Sequence, residues 1–329
     1  MSQETDSAND TYSFLGPSGT FTETALAQVP EAAGKTWRAV NNVGEALDDV
    51  VAGRSVAAMI AIENSIEGGV SVAQDALATL PNLRIIGEYL VPVGFVLVGR
   101  RGTTLADVKT ITAHPVAYAQ CNAWLNANLP SHDQVPASSN VRAAASLLET
   151  DAAGRPVGVA DAAIAPAGYL STSIDDNHRL VVLADNIIDN PNAVTRFALV
   201  SRSRRIPSPT GADKTSIVAE LPDDEAGSLQ SLLEQFSTRG INLSLIESRP
   251  IGDALGRYRF VIDADGHIFE ERMADAMLGL RRFCPKLIFL GSYPRADKRT
   301  VDYHIRYSDD VFIEARDWLR GLLAEEPEA

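Results

Sequence analysis

Cysteine is almost absent from this chain: its 329 residues include two, Cys121 and Cys284. Both sit in stretches of helical periodicity, which argues against a disulfide framework and a cysteine-built metal site and points to a reducing compartment. Positive charge is also scarce. Lys and Arg number 29 against 43 Asp and Glu, giving a formal net charge of -14, which repels polyanions and sets nucleic acid aside as a partner. Apolar runs are short, and none approaches the roughly 18 residues a membrane span requires. The opening Met1-Ser2-Gln3-Glu4-Thr5-Asp6 is polar and acidic, without the basic and apolar segments of a leader peptide. The expectation is a soluble, cytoplasmic protein with no membrane partner. Gly 23 and Pro 17 are ordinary counts, so the chain is neither collagenous nor of low complexity. What it does have is 45% hydrophobic residues and length for two or three domains of about 100–200 residues each.

From Tyr12 onward, short apolar runs alternate with amphipathic stretches, the pattern of an α/β region with a largely buried sheet. Tyr12–Leu15 reads as a first strand. Gly16-Pro17-Ser18-Gly19-Thr20 follows, and Thr20 with Glu23 forms a capping box for a helix that buries Ala25, Leu26 and Val29. A second helix is expected near 43–52, with Val43, Ala46, Leu47, Val50 and Val51 on one side. Val56–Ile62 is a continuous apolar run, as in a strand covered on both faces. It gives way to the polar, glycine-rich stretch 63–69, and such a strand end is where open α/β sheets bind ligands.

Arg84–Leu90 and Val93–Val98 read as strands either side of a crossover at Pro92. A second α/β lobe follows, with a helix from about Pro115 carrying Ala117, Cys121, Trp124 and Leu125, and another carrying Val141, Ala144, Ala145 and Leu148. A strand Val157–Val159, a helix Ala162–Tyr169, an extended segment near Leu180–Ile188 and a last strand Thr195–Val200 continue it. Periodicity alone leaves open whether that last strand returns to the first lobe.

Ser201–Gly211 is basic and rich in Pro and Ser, without periodicity, which is how a linker reads. Its Arg202, Arg204 and Arg205 are expected to be solvated linker residues rather than an anion site. Beyond it the order is strand 214–221, helix 225–238, strand 242–250, strand 256–263, helix 268–283 and strand 287–291. That βαββαβ order is the ferredoxin-like motif. A final helix is expected to carry Phe312, Ala315, Leu319, Leu322 and Leu323 on one face before an acidic end.

Five strings are specific: Gly16-Pro17-Ser18-Gly19-Thr20-Phe21; Ile62-Glu63-Asn64-Ser65; His114-Pro115 with Gln120-Cys121; Thr195-Arg196-Phe197 within Asn192–Phe197; and Asn242-Leu243 with Glu247-Ser248-Arg249-Pro250. In this order, ahead of a ferredoxin-like module, they resemble the prephenate dehydratase family with its C-terminal ACT regulatory domain, over about residues 12–291. The resemblance implies a carbon–oxygen lyase that converts prephenate to phenylpyruvate, water and carbon dioxide on the route to phenylalanine. It also implies a two-lobed catalytic region similar to periplasmic binding proteins, with the site in the interlobe cleft. The catalytic region would be 11–201, its lobes about 11–90 with 182–201 and 91–181, so that the strand at Thr195 crosses back to the first. A linker 202–213, an ACT domain 214–294 and a C-terminal extension 295–329 complete the expected order.

Loss of a ring carboxylate with the C4 hydroxyl makes the ring aromatic, so the enzyme chiefly orients a dianion and helps hydroxide leave as water. That calls for no redox cofactor and no metal. The resemblance makes Thr195 the donor to the leaving oxygen, as a general acid or as a hydrogen-bond donor in a dry site. Arg196 offers a planar fork to a carboxylate, yet strand alternation turns it away from the face of Thr195, so a structural ion pair is the equal alternative. Ser18, Gly19 and Thr20 stand where backbone N–H groups at a helix start could hold a carboxylate or simply form a cap. Glu63, Asn64 and Ser65 end a buried strand; Asn64 can donate and accept, and Glu63 would orient it or a water. Gln120, Ser139 and Phe197 complete the expected substrate contacts. The family glutamine at Val116 and the threonine at Asn140 are missing. The histidines lack metal-ligand spacing and are assigned no catalysis.

In the C-terminal module, the resemblance implies that free L-phenylalanine binds between ACT domains at Ala226, Gly227, Ser228 and Leu229 and at Asn242, Leu243, Glu247 and Ser248. A homodimer or homotetramer follows. Ser228 replaces a usual apolar residue, which would widen the response to other aromatic amino acids. Two alternatives stand beside this account: arogenate dehydratase, and a non-catalytic two-lobed effector-binding protein.

Overall fold

The structure, a computed structural model, describes residues 10–66, 68–153, 157–169, 179–222, 226–252 and 256–324. The polar opening, Glu67, the first residue of the expected helix 225–238 and the acidic end lie outside the described residues. The chain divides into two compact units, one the chain up to Val70 with Tyr89–Phe197, the other Ser71–Glu88 with Ala198–Ala329. The division falls ahead of the expected boundary at 201 and groups 71–88 with the C-terminal residues.

The first unit has two lobes. The first sheet runs in the order β2 (Thr36–Val40), β1 (Thr11–Leu15), β3 (Ala57–Asn64), β11 (Val194–Ser201), β5 (Arg84–Pro92), with Arg84–Glu88 of β5 and Ala198–Ser201 of β11 counted in the second unit. β1 is parallel to β2 and β3. Ala57, Ala58, Met59 and Ile60 are all buried, as a strand covered on both faces requires. β11 does return to this first sheet. Helices α1 (Phe21–Leu26) and α2 (Val43–Val51) cover it; Asn42 caps α2 by accepting the Glu45 amide at 2.8 Å, and Val43, Ala46, Leu47 and Val50 are buried. Gly16 is required where β1 ends: a Cβ there would lie 2.7 Å from the Ala39 Cβ, while its amide donates to Val40 O at 2.9 Å.

The chain crosses between sheets at Pro92–Gly94. The second sheet is ordered β10 (Leu180–Ala184), β6 (Phe95–Arg100), β9 (Ala162–Pro166), β7 (Thr110–Ala113), β8 (Asp133–Pro136). Phe95, Leu97, Ile111, Leu125 and Ile164 fill one face and Val96, Val98, Val141, Ala144 and Tyr169 the other.

Several segments differ from the expected elements. Ala162–Pro166 is a strand, not the start of a helix. Its alanines have high helix propensity, but every residue is buried and the segment pairs with β6 and β7, so burial on two faces overrides propensity. Val157–Val159 is no strand; Val159 is 80% exposed. The helix from Pro115 is two short ones, α4 (Pro115–Ala119) and α5 (Asn122–Asn128), broken at Gln120–Cys121. β3 continues to Asn64 and pairs Glu63 and Asn64 with a two-residue strand, β4 (Gly68–Gly69). β2, β7, β8 and helix α3 (Ser71–Thr79) had no counterpart in the expected elements.

In the second unit, β12 (Asp213–Glu220), β13 (Leu243–Pro250), β14 (Tyr258–Asp265) and β15 (Lys286–Pro294) form an antiparallel sheet ordered β13-β14-β12-β15. With α7 (Ser228–Ser237) and α8 (Glu271–Phe283), which follow α6 (Asn140–Ser146) in the chain, this is the ferredoxin-like βαββαβ fold. One face buries Ile217, Ala219, Leu232, Phe236, Ile262, Met273 and Leu280. The other is charged: Lys214 pairs with Glu88 at 3.2 Å, both side chains buried, and Arg249 and Arg259 clasp Asp75 of α3 at 2.7 and 3.0 Å. The expected terminal helix is α9 (Asp309–Leu323); Arg316 pairs with Glu271, while Trp318, Leu319, Leu322 and Leu323 are exposed. No described helix is long and apolar enough to cross a membrane.

Candidate active site

A cavity of about 820 Å³ lies between the two lobes of the first unit. The first lobe contributes the end of β1, Thr20 and Phe21 at the start of α1, the end of β2, Ala61, Thr195 and Phe197; the second contributes His114, Ser138–Arg142 and Pro166. Phe21 also reaches the second lobe, its ring edge-to-face with Phe95 at 5.7 Å between centroids. Arg142 is the one formally charged residue of this lining. In a chain of net charge -14, a cleft whose single charge is positive favours a small anion over its surroundings.

Strand alternation builds the centre of the site. Adjacent β3 and β11 each turn one residue to each face. Thr195 lines the cavity, and Asn64 Nδ2 donates to its Oγ1 at 3.2 Å. Asn64 Oδ1 accepts the Ile66 amide at 2.8 Å, which fixes the side chain so that its NH₂ group faces the threonine. Thr195 Oγ1 is therefore an acceptor from Asn64 and keeps its own proton to donate. On the opposite face, Arg196 Nε donates to Glu63 Oε2 at 2.8 Å, with the arginine side chain buried. Ser65 Oγ accepts the Val194 amide at 2.9 Å, and its own amide donates to Val194 O, locking the two strand ends together.

Of the expected substrate contacts, Thr20, Ser139, Thr195 and Phe197 line the cavity, whereas Ser18, Gly19, Glu63, Asn64, Ser65, Gln120 and Arg196 are not among its lining residues. Ser18 Oγ and Gly19 N both donate to the Glu23 carboxylate at 2.5 Å, so the side chain expected to close a capping box on Thr20 takes these two donors instead. Gln120 is buried at the end of α4, its Oε1 without a hydrogen-bond partner among the described residues. Ser139 caps α6 by accepting the Arg142 amide at 3.1 Å.

Arg142 is not among the expected site residues, and His114, assigned no catalysis from the sequence, caps α4 at the cavity's edge. Arg142 stands in the first turn of α6, where the partial positive charge of the helix end disfavours a cation, and that misfit is the sequence signal that marks it. No carboxylate among the described residues pairs with it. His114 Nδ1 accepts the Val116 amide at 3.3 Å, which leaves Nε2 to carry the ring proton, and Asn140 Oδ1 accepts the His114 amide at 3.0 Å. Among the described residues no group of three or more His, Cys, Asp or Glu is placed to hold a metal ion. Both cysteines are free and buried; burial pushes the Cys121 thiol up to about 12, with Asp189 adding to it, and the Cys284 thiol up to about 11.

In the second unit, Gly227 adopts φ 95° as the N-cap of α7, a conformation glycine takes without strain. Ala226, Leu229 and Ser248 are exposed, and Ser228 and Glu247 half-buried. Asn242 Nδ2 donates to Asp265 at 2.8 Å, and Leu243 packs on the core. β13 is an edge strand of its sheet.

A two-lobed α/β cleft with one arginine in its lining, a nearly buried hydroxyl oriented by an amide, and a ferredoxin-like module on the same chain place the protein in the binding-protein-like α/β class, with a cleft suited to a small anion. The family model for prephenate dehydratase matches residues 12–205. A prephenate dehydratase of Mycolicibacterium vanbaalenii is 39% identical over 327 residues, 95% of this chain and 98% of the relative. A crystal structure of prephenate dehydratase in complex with L-Phe, from Arthrobacter aurescens, superposes with a TM-score of 0.88 at 50% identity, covering 96% of this chain and 100% of that one. GqqA, described as a novel type of quorum quenching acylases, has a TM-score of 0.72 at 28% identity, covering 88% and 100%. The chain belongs to the prephenate dehydratase family.

Proposed function

We propose that this chain converts prephenate to phenylpyruvate, water and carbon dioxide in the interlobe cavity, and that L-phenylalanine regulates it through the C-terminal module. The observation that carries the catalytic reading is the Asn64–Thr195 hydrogen bond. Because fold alone does not fix a reaction, as the acylase with the same architecture illustrates, the assignment rests on these side chains. Asn64 donates into Thr195 Oγ1, which strengthens the threonine O–H as a donor toward the C4 hydroxyl of prephenate. The C4–O bond breaks as the ring carboxylate leaves as carbon dioxide, its bonding electrons completing the aromatic ring. One proton, supplied ultimately by solvent, leaves with the hydroxide as water. Thr195 is nearly buried, so its hydrogen bond acts where water competes little.

Arg142 attracts a carboxylate of the dianion, with Thr20, Ser139 and the His114 Nε2–H as neutral polar contacts and Phe197 as apolar wall. Ser18, Gly19, Glu63, Ser65 and Arg196 are positioning residues: the first two hold the start of α1 through Glu23, and the others fix β3 against β11. The catalytic region is then 11–201, followed by a linker 202–213, an ACT domain 214–294 and an extension. L-phenylalanine would bind at Gly227 and along the edge strand β13, where a second copy completes the site, so the working state is a homodimer or homotetramer. The relative crystallised with L-Phe supports this arm.

Purified protein given prephenate without added cofactor should form phenylpyruvate, and L-phenylalanine should suppress the rate. Arogenate run in parallel separates the aminated substrate. Silence on both substrates would remove the catalytic reading and leave an effector-binding protein.

A further inference from the structure

The second unit contains a small basic cavity that the reaction does not use. It has a volume of about 360 Å³ and is lined by Asn82, Arg84, Ser203, Arg204, Ile206 and Phe289. Two of the six are arginines and none is acidic. Elsewhere in this unit cations find carboxylates: Arg239 with Asp275, Arg249 and Arg259 with Asp75, Arg295 with Asp265 and Asp297, Lys214 with Glu88. Among the described residues, no carboxylate pairs with Arg84 or Arg204, although acidic residues outnumber basic ones in the chain.

The two guanidiniums are differently held. Arg84 opens β5 and is half-buried; its guanidinium carbon lies 5.3 Å from the centroid of the Phe289 ring, and Nη1 donates to Leu83 O at 2.9 Å. That leaves a planar cation fixed against an aromatic ring, with donors still unused. Burial, with the like charge of Arg204 added, holds its pKa below the usual arginine range. Arg204 is exposed and belongs to the segment between β11 and β12. Ser203 Oγ accepts the Arg205 amide at 3.2 Å, so its hydroxyl proton points elsewhere and is available as a neutral donor. Like charges brought together beside a hydroxyl and an amide, with an apolar wall behind them, are relieved by an oxyanion that takes a fork from each arginine.

We propose that this cavity is a binding site for a small oxyanion with two or more acceptor oxygens, a phosphate or a dicarboxylate, held between Arg84 and Arg204 with Ser203 as third donor. From the sequence Arg204 is expected in a solvated linker, because Arg84, which the fold brings beside it, stands 120 residues earlier in the numbering. A bound anion would tie the connecting segment to β5 and β15 and so order it. The site is independent of the reaction assigned above.

Isothermal titration of the full-length protein with inorganic phosphate, and separately with malonate, at ionic strength held constant with sodium chloride, tests this. Saturable binding near one per chain is expected for at least one of the two, and the one that binds names the oxyanion class. Arg204→Gln, an exposed substitution, should weaken it at least about tenfold, since hydrogen bonds to charged groups are among the stronger ones. Phenylglyoxal labelling read by mass spectrometry should find Arg84 and Arg204 protected by the same anion, which keeps the test open if Arg84→Gln does not fold. Binding that chloride reproduces, absence of saturable binding by both anions, or an Arg204→Gln protein that binds like wild type would overturn the proposal.

Discussion

Replacing Arg142 by Gln should move substrate affinity and protein stability in opposite directions. Arg142 is the lone charge in the interlobe lining, is exposed, and stands in the first turn of α6. A hydrogen bond to a charged group contributes about 1.5–3 kcal/mol, and exposure screens this toward the lower end. About 1.4 kcal/mol corresponds to a tenfold change, so KM for prephenate should rise roughly tenfold. kcat should change little, because the side-chain carboxylate, which keeps its charge through the reaction, is bound in ground state and transition state alike. Stability should go the other way: a cation at a helix N-terminus is unfavourable by about 0.3–1 kcal/mol. Gln has nearly the same helix propensity as Arg, so the variant should gain that amount, and about 0.5 kcal/mol raises Tm by about 1–2 °C in a domain of this size. Steady-state kinetics and thermal denaturation of the same preparations check both. An unchanged KM, or a fall in stability together with the rise in KM, would refute the assignment and make Arg142 a structural residue.

Asp75 gives a pH-dependent counterpart. Its hydrogen bond from Arg249, and to a lesser degree that from Arg259, holds its carboxyl below the ordinary value of 3.8. A depressed carboxyl contributes stability that is present above its unfolded pKa and lost as pH falls through the folded one. Asp75→Asn should therefore cost about 1 kcal/mol at pH 7, given a carboxylate 39% exposed; in urea titrations the gap to wild type should close at lower pH, and a gap equally wide at pH 3 and pH 7 would count against it. The cysteines make a third prediction: with thiols pushed up to about 12 and about 11, Cys121 and Cys284 are ionised to only about 10⁻⁴ and 10⁻³ at pH 8. Iodoacetamide followed by mass spectrometry should label them only after unfolding, and stoichiometric labelling of folded protein within minutes would contradict their burial.

The ferredoxin-like module was legible to within about three residues at each element end, because its helices carry single apolar stripes and its strands are short apolar runs between turn residues; strand 214–221 was expected and 213–220 observed. The second lobe was legible only in part. β9 is an alanine-rich run, and alanine alone cannot distinguish a helix from a strand buried on both faces. β2 escaped because as an edge strand it exposes Thr36, Arg38 and Ala39 and presents no apolar run. α3 escaped because the face it buries is Ala73, Gln74, Leu77 and Ala78, half of it small and one member polar. In the site, alternation along β11 foretold that Thr195 and Arg196 face apart, and the ion pair to Glu63 supplies what Arg196 does there. Arg142 could not be placed without the fold, because what matters is its distance across a cleft from a strand 53 residues later in the numbering.

If the Thr195 hydroxyl assists departure of the C4 oxygen, its removal should slow the reaction and its restoration should recover it. Thr195→Val removes that hydroxyl while keeping a β-branched side chain in the strand, and Thr195→Ser restores it. Single-turnover and steady-state phenylpyruvate formation should show the valine variant slower by about 10²–10⁴-fold in kcat. Its KM and its affinity for L-phenylalanine should stay near wild type, and the serine variant should recover most of the rate. A valine variant within tenfold of wild type in kcat would contradict the account.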